Sequence, residues 1–270
     1  MKAMIFAAGL GTRLKPLTDT MPKALVPVGG KPLLQHTIEK LTAAGFDEII
    51  INVHHFAEQV IDFVEANHRF GIRIEFSDER EKLLDTGGGI KKAASFFNDN
   101  HPFLVHNVDI LSNIDLRKLY EISTQRIQSD SASPQSGQHR SHGTEIPPIQ
   151  SNPIATLVCS ERKTSRYLLF DDNNHLKGWT NEKTGQVKSP FPDFDPRHYK
   201  KLAFAGIQIF QPDIFQYMAD LPDHFSIIDF YLSICEKEDI SCYIPDNLQL
   251  VDVGKTDSLK EASQFLDKLS

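Results

Sequence analysis

Four groups of residues along this chain have the types and spacing to handle phosphate. The first is Ala7-Ala8-Gly9-Leu10-Gly11-Thr12-Arg13, which follows the apolar run Met4-Ile5-Phe6. Glycines in such a loop let backbone N–H groups approach phosphate oxygens closely, and the Arg13 guanidinium adds a planar donor fork. The second is Lys23, set between Pro22 and Ala24-Leu25-Val26-Pro27. Prolines at 16, 22, 27 and 32 pin this stretch in extended form. Lys23 is therefore expected as a fixed positive charge facing the glycine loop. The third and fourth are Asp109, after Phe103-Leu104-Val105, and Asp252, after Leu250-Val251. Carboxylates at the ends of parallel strands face the crevice where such sheets bind ligands. Cations gathered beside carboxylates suit a reaction in which two anions must meet, where positive charge is the main catalytic need.

The loop alone is not diagnostic. Two glycines spaced by one residue fit any strand–loop–helix turn. The GK[ST] ending of a Walker A loop is missing, and Leu14 stands where a dinucleotide fingerprint needs its third glycine.

The elements that must position these residues follow from periodicity. Met4–Ala8 and Glu48–Val53 are short continuous apolar runs, as expected of strands buried on both faces. Ile72–Phe76 alternates as a third strand. Pro32 opens a helix whose Leu33, Leu34, Ile38 and Leu41 share a face, and Gly45 stops it. Ala57–His68 reads as a second helix. Thr86-Gly87-Gly88-Gly89 reads as a loop that brings backbone close to a flat ring and opens a helix over Ile90–Phe97. Phe103–Val105 is a further strand, and a helix follows Asp115. Later strands are expected at 154–159, 167–170, 176–179, 202–210 and 250–254, with a hairpin turn at Asn173-Asn174 and helices at 227–236 and 258–269. The β-α-β-α-β order predicts a doubly wound, mostly parallel, Rossmann-like α/β sheet in three α/β/α layers. One domain spanning residues 1–270 is expected. Residues 126–152 are rich in Ser, Gln, Pro and His with almost no large apolar side chains, and are expected to form a mobile insertion.

Composition excludes several classes. A formal net charge of −7 argues against a global grip on nucleic acid. No apolar run approaches the roughly 20 residues that span a bilayer. The three cysteines, Cys159, Cys235 and Cys242, have no metal or disulfide spacing, which fits a reducing, cytoplasmic setting. Oligomeric state is not legible. His54-His55 point to opposite sides of an extended chain, which favours packing over a shared metal.

The stretch AAGLGTRLKPLTDTMPKALVPVGGKPLL resembles the signature of nucleoside-diphosphate-sugar pyrophosphorylases, roughly G-x-G-T-R-L-x-P-L-T and P-K-x-L-x-P-V. TGGG, NVD, FAGI and VDVG extend the resemblance in order along the chain. Leu84 with Thr86–Ile90 makes it most similar to N-acetylmuramate-1-phosphate uridylyltransferases. The resemblance implies a Mg2+-dependent transfer from an NTP, UTP first, to a sugar 1-phosphate, either N-acetylmuramate 1-phosphate or a related hexose 1-phosphate. It implies catalytic Arg13, Lys23 and Asp109, and Mg2+ on Asp109 and Asp252. Nucleotide contacts fall to Ala8, Gly9, Gly11, Thr12, Arg13, Lys23, Thr86, Gly87, Gly88 and Asn107. Sugar contacts fall to Asn107, Gly206 and Asp229, with Trp179 on the same side. One departure is Val108 before Asp109, where the family more often has glycine. GTP or dTTP as donor, phosphocholine as acceptor, and a non-catalytic nucleotide-sugar-binding subunit remain alternatives.

Overall fold

The structure is a computed structural model that describes residues 1–129 and 153–269. The chain opens with β1 (Lys2–Phe6), passes through three short 3-10 turns, and forms a two-residue hairpin, β2 (Pro27–Val28) and β3 (Lys31–Pro32). Pro32 then stands immediately before α1 (Leu33–Ala43), its fixed φ suited to a helix entry. Gly45, at φ +92°, lets the chain leave the helix in the left-handed conformation that a side chain resists. β4 (Glu48–Val53), α2 (Ala57–Ala66) and β5 (Arg73–Asp78) follow. Next come α3 (Asp85–Lys92), β6 (Phe103–Asn107), β7 (Ile110–Ser112) and α4 (Leu116–Ser129). The second half holds β8 (Ala155–Ser160), β9 (Arg166–Phe170), β10 (Leu176–Asn181), β11 (Gln186–Lys188) and β12 (Lys200–Phe210). It ends with α5 (Ile214–Met218), α6 (Ile227–Ile234), β13 (Ile240–Tyr243), β14 (Leu250–Asp252) and α7 (Asp257–Leu269).

A ten-stranded sheet organises the molecule. Its main order is β11-β10-β9-β12-β6-β1-β4-β5, with β8 on β12 and β13 on β8. The strands β6, β1, β4 and β5 are all parallel neighbours. β1 is central, and the chain runs first to one side of it and later to the other. That reversal places a ligand crevice beyond the carboxyl ends of β1 and β6.

The expected doubly wound α/β sheet in three layers is present. Leu33, Leu34, Ile38 and Leu41 of α1, with Val60 and Val64 of α2, pack on one face, joined by α4 and α7. Ile90 of α3, Ile214 and Met218 of α5, and Phe230 and Tyr231 of α6 cover the other face. The sheet is mixed, however: β12 runs antiparallel to β6, β8 and β9. The sequence concealed this because buried strands in the middle of a sheet read as apolar runs in either direction.

Several boundaries moved: the first strand is Lys2–Phe6, not Met4–Ala8, the second helix ends at Ala66, and the last strand ends at Asp252. The helix expected at Ile90 starts at Asp85, so the three glycines lie within α3. Residues 126–129 of the expected insertion continue α4 as helix, and residues 130–152 of it lie outside the described residues. Strands β2, β3, β7, β11 and β13 and the five-residue α5 are too short to carry a period and were not anticipated.

Candidate active site

Four parallel strands deliver side chains or backbone to one cleft. It has an open volume of about 680 Å3 and is lined by Phe6 to Gly9 at the end of β1, Asn52 of β4, Glu79 after β5, and Asn107 to Asp109 at the end of β6. Lys23, Leu83, Asp85 and Thr86 complete it. Parallel register explains the convergence. Phe6 pairs with both Asn52 and Asn107, so these three residues sit on one row of the sheet and share a face.

The glycine loop is folded by its own small residues. Gly11 lies at φ +64°, and a Cβ there would come within 2.8 Å of Thr18 and 3.0 Å of Lys23. Thr18 Oγ1 donates to the Gly11 carbonyl at 2.8 Å. The turn Thr12–Leu14 thus curls back toward the Lys23 segment, as the proline-pinned stretch led one to expect. Gly9 faces open space.

Lys23 and Asp109 are ion-paired, with Nζ on Oδ2. Asp252 stands beside them. Its strand β14 pairs with β7, directly after Asp109, and the Val253 N–H donates to the Asp109 carbonyl at 2.8 Å. Burial, and next the Asp109 charge, push the Asp252 carboxyl above its ordinary range, against the opposing pull of Lys23, Arg13 and Arg162. Gly254 makes room for this group: a Cβ there would lie 2.8 Å from both Arg13 Nη2 and Asp252 Oδ1. Asp109 and Asp252 come from distant parts of the chain, yet the charge of Asp109 acts on Asp252. Such a pair suits a divalent cation that takes its remaining ligands from phosphate oxygens and water, as Mg2+ does. Among the described residues no group of three or more His, Cys, Asp or Glu side chains could hold a metal alone.

Arg162 was not anticipated from sequence, because it sits in a polar loop without a period. Its Nη2 donates to the Phe204 carbonyl at 3.0 Å, while Nε is buried without a partner among the described residues. Asn52 and Glu79 were also missed. Each reads as an ordinary residue at a strand end, and only the parallel register brings them into the cleft.

The other expected residues separate into four groups. Ala8, Gly9, Lys23, Thr86, Asn107 and Asp109 line the cleft. Gly206, at φ +72°, backs it: a Cβ there would meet Asn107 Nδ2 at 2.7 Å, so glycine lets Asn107 take its place. Gly87 and Gly88 are buried in α3 and serve packing. Both N–H groups donate to the Phe225 carbonyl, and a Cβ on Gly88 would lie 1.8 Å from the Asp223 carbonyl oxygen. Their smallness admits the 223–225 segment, and their N–H groups are already engaged. Thr86 Oγ1 accepts the Ile227 N–H at 3.0 Å, at the start of α6. Asp229 is exposed and ion-paired with Lys188 at 2.7 Å, and Lys188 lies over the Trp179 ring. Neither Asp229 nor Trp179 lines the cleft. His54 packs as expected, its ring hydrogen-bonded to the Glu79 carbonyl at 2.7 Å. No helix among the described residues is long and apolar enough to cross a membrane.

Comparison with known proteins agrees with this architecture. Residues 2–133 match the family described as nucleotidyl transferase. The chain is 47% identical over 109 residues to N-acetylmuramate alpha-1-phosphate uridylyltransferase of Caulobacter vibrioides, covering 40% of this chain and 45% of that protein. It is 42% identical over 124 residues to the protein of that description from Neisseria meningitidis, covering 46% and 53%. The matched stretch thus spans about half the length of these curated relatives. A crystal structure of UDP-glucose pyrophosphorylase with UDP-glucose superimposes over 100% of this chain and 99% of that one, with a TM-score of 0.70 at 20% identity, which speaks for the fold. The fold is therefore shared throughout with that structure, and the amino-terminal stretch, residues 2–133, carries the match to the nucleotidyl transferase family.

Proposed function

We propose that the protein transfers a nucleoside monophosphate from an NTP to a sugar 1-phosphate, releasing pyrophosphate. UTP is the proposed donor and N-acetylmuramate 1-phosphate, or a related hexose 1-phosphate, the acceptor. The observation that carries this reading is the Lys23–Asp109 pair on the wall of a cleft built from four parallel strand ends, with Asp252 near enough to feel the charges of Asp109, Lys23, Arg13 and Arg162. The base and sugar rest on the two uridylyltransferases that the amino-terminal half resembles.

In this reading the NTP lies along the cleft, with its triphosphate toward Gly9 and Arg13. The acceptor phosphate oxygen attacks the α-phosphorus and pyrophosphate departs. Lys23 and Arg13 supply charge where it develops on the transferring group. Arg162 has a buried donor to spare and lies on the Asp252 side, so it is the cation proposed to hold the acceptor phosphate. Asp109 and Asp252 would hold Mg2+, which when bound offsets negative charge between the two anionic substrates. Asn107, held by the close approach of Gly206, is offered to the sugar or ribose hydroxyls. Thr86 and Ala8 flank the position proposed for the base. No covalent protein intermediate is required.

A pyrophosphate-release assay pairing four NTPs with several sugar 1-phosphates tests the reading. Turnover fastest with UTP and a hexose 1-phosphate is expected. Binding of nucleotide without turnover of any pair would reverse it in favour of a non-catalytic nucleotide-sugar-binding protein. Turnover of phosphocholine with CTP alone would move the acceptor class.

A further inference from the structure

Two fully buried polar side chains form the floor of the cleft, and neither belongs to the catalytic cluster described above. Asn52 is 2% exposed and Glu79 is 1% exposed. The Asn52 carboxamide oxygen accepts the N–H of Ala7 at 2.7 Å and of Ala8 at 3.3 Å. Its Nδ2 donates to Glu79 Oε1 at 2.8 Å. Glu79 Oε2 in turn accepts the Leu84 N–H at 3.1 Å. Gly89 keeps the carboxylate close, since a Cβ there would approach Glu79 Oε1 to 2.9 Å and Phe6 to 3.0 Å.

These bonds span the cleft from wall to wall. On one side the ladder of β1 ends at Phe6, and the next two N–H groups would be orphaned at the root of the glycine loop. Buried orphan donors cost a few kcal/mol each, so Asn52 fixes where the loop leaves the sheet. On the other side, Leu84 begins the segment that carries Asp85 and Thr86 into the cleft. Glu79 thereby fixes that wall. A chain of four hydrogen bonds in a dry interior has one donor–acceptor order, set by the carboxamide having a single oxygen.

We propose that Asn52 and Glu79 are positioning residues that tie the glycine loop to the opposite wall of the cleft and so set the spacing that an NTP requires. The proposal rests on the nucleotidyl-transfer reading above. The strut touches the NTP side only. The acceptor side, with Arg162 and Asp252, is attached through β8, β12 and β14 and does not depend on it.

Three variants test it. Asn52→Asp still accepts the Ala7 and Ala8 N–H groups but sets a carboxylate against Glu79. Glu79→Gln leaves one oxygen for two donors, so one bond is lost. The double variant N52D/E79Q restores every bond, with only the one between positions 52 and 79 reversed in direction. The amide introduced at position 79 donates to the carboxylate introduced at position 52, and its oxygen accepts the Leu84 N–H. Kinetics with UTP and the best sugar 1-phosphate, together with melting temperatures, are the readouts. Each single variant is expected to raise KM for the NTP at least tenfold and leave KM for the sugar phosphate within twofold. The double variant is expected to return within fivefold of wild type. Losses that add in the double variant, or equal shifts of both KM values that follow the melting temperature, would overturn the proposal. If the wild-type protein turns over no substrate pair, the reading beneath it fails instead, and the proposal goes with it.

Discussion

Lys23 and Asp109 lie 86 residues apart in sequence and form an ion pair with side chains only 11% and 21% exposed. One comes from a 3-10 turn among prolines and the other from the end of β6. Each leaves the other uncompensated if removed. The pair is partly screened, so breaking it costs less than the 3–5 kcal/mol of a fully buried pair, about 1–2 kcal/mol. Asp109→Ala is expected to abolish Mg2+-dependent pyrophosphate release while the protein remains folded by circular dichroism. Lys23→Ala is expected to lower turnover at least a hundredfold. An Asp109→Ala protein of near wild-type activity would refute the proposed metal ligand.

Asp252 trades stability for charge. Its folded-state pKa is raised, chiefly by burial and next by Asp109. The neutral form is therefore favoured in the native state, and stability is lost as pH rises through the folded pKa. Asp252→Asn removes that loss. Asp252 is exposed as a residue although charged groups crowd its carboxyl, so solvent screens the effect. Without metal, the variant is expected to melt slightly higher than wild type at neutral pH, and the gap should close as the pH falls into the ordinary carboxylate range. The same variant is expected to lose Mg2+-dependent turnover. A lower melting point at neutral pH would contradict this account.

His106 predicts acid sensitivity. It is fully buried on β6, with Nδ1 against the Asn107 carbonyl at 2.8 Å and Nε2 without a partner among the described residues. Burial lowers its pKa from 6.5 to about 4. The unfolded chain binds the proton first, so the stabilisation is complete above 6.5 and declines as pH falls toward 4. A shift of this size corresponds to about 3 kcal/mol. Melting temperature is expected to fall across that window, and His106→Leu is expected to flatten the curve there. An unchanged slope in the variant would assign the acid sensitivity elsewhere.

Gly206 tests the backing of Asn107. A methyl group at φ +72° is strained and meets the Asn107 amide at 2.7 Å. Gly206→Ala is expected to destabilise by about 1–2 kcal/mol and to raise KM for the sugar phosphate more than for UTP. Equal effects on both would favour a global loss of packing.

Much of the site was legible because it is local. Gly9 to Lys23 is one continuous stretch whose prolines and glycines constrain the backbone residue by residue, so the turn that brings the loop back to Lys23 could be read directly. Strand ends at Asp109 and Asp252 followed from short apolar runs. The triple glycine shows where local reading stops. As a motif it looked like a ligand-facing loop. In the fold it is the first turns of α3, made thin so that the Asp223–Phe225 backbone can press against it, and that neighbour is more than 130 residues away. Asn52, Glu79 and Arg162 carried no local signal, since a buried asparagine and an exposed one are the same letter.

The sequence by itself determined the longer strands and helices, and that a tight glycine loop follows the first strand. These depend on side-chain period and backbone restriction within a few residues. Tertiary structure decided the rest. Parallel register put Phe6, Asn52 and Asn107 on one row. Pairing of β14 with β7 carried Asp252 to Asp109. Antiparallel β12 brought Gly206 behind Asn107. Such relationships arise from hydrogen bonds between strands far apart in the chain, and those are fixed only when the whole sheet assembles.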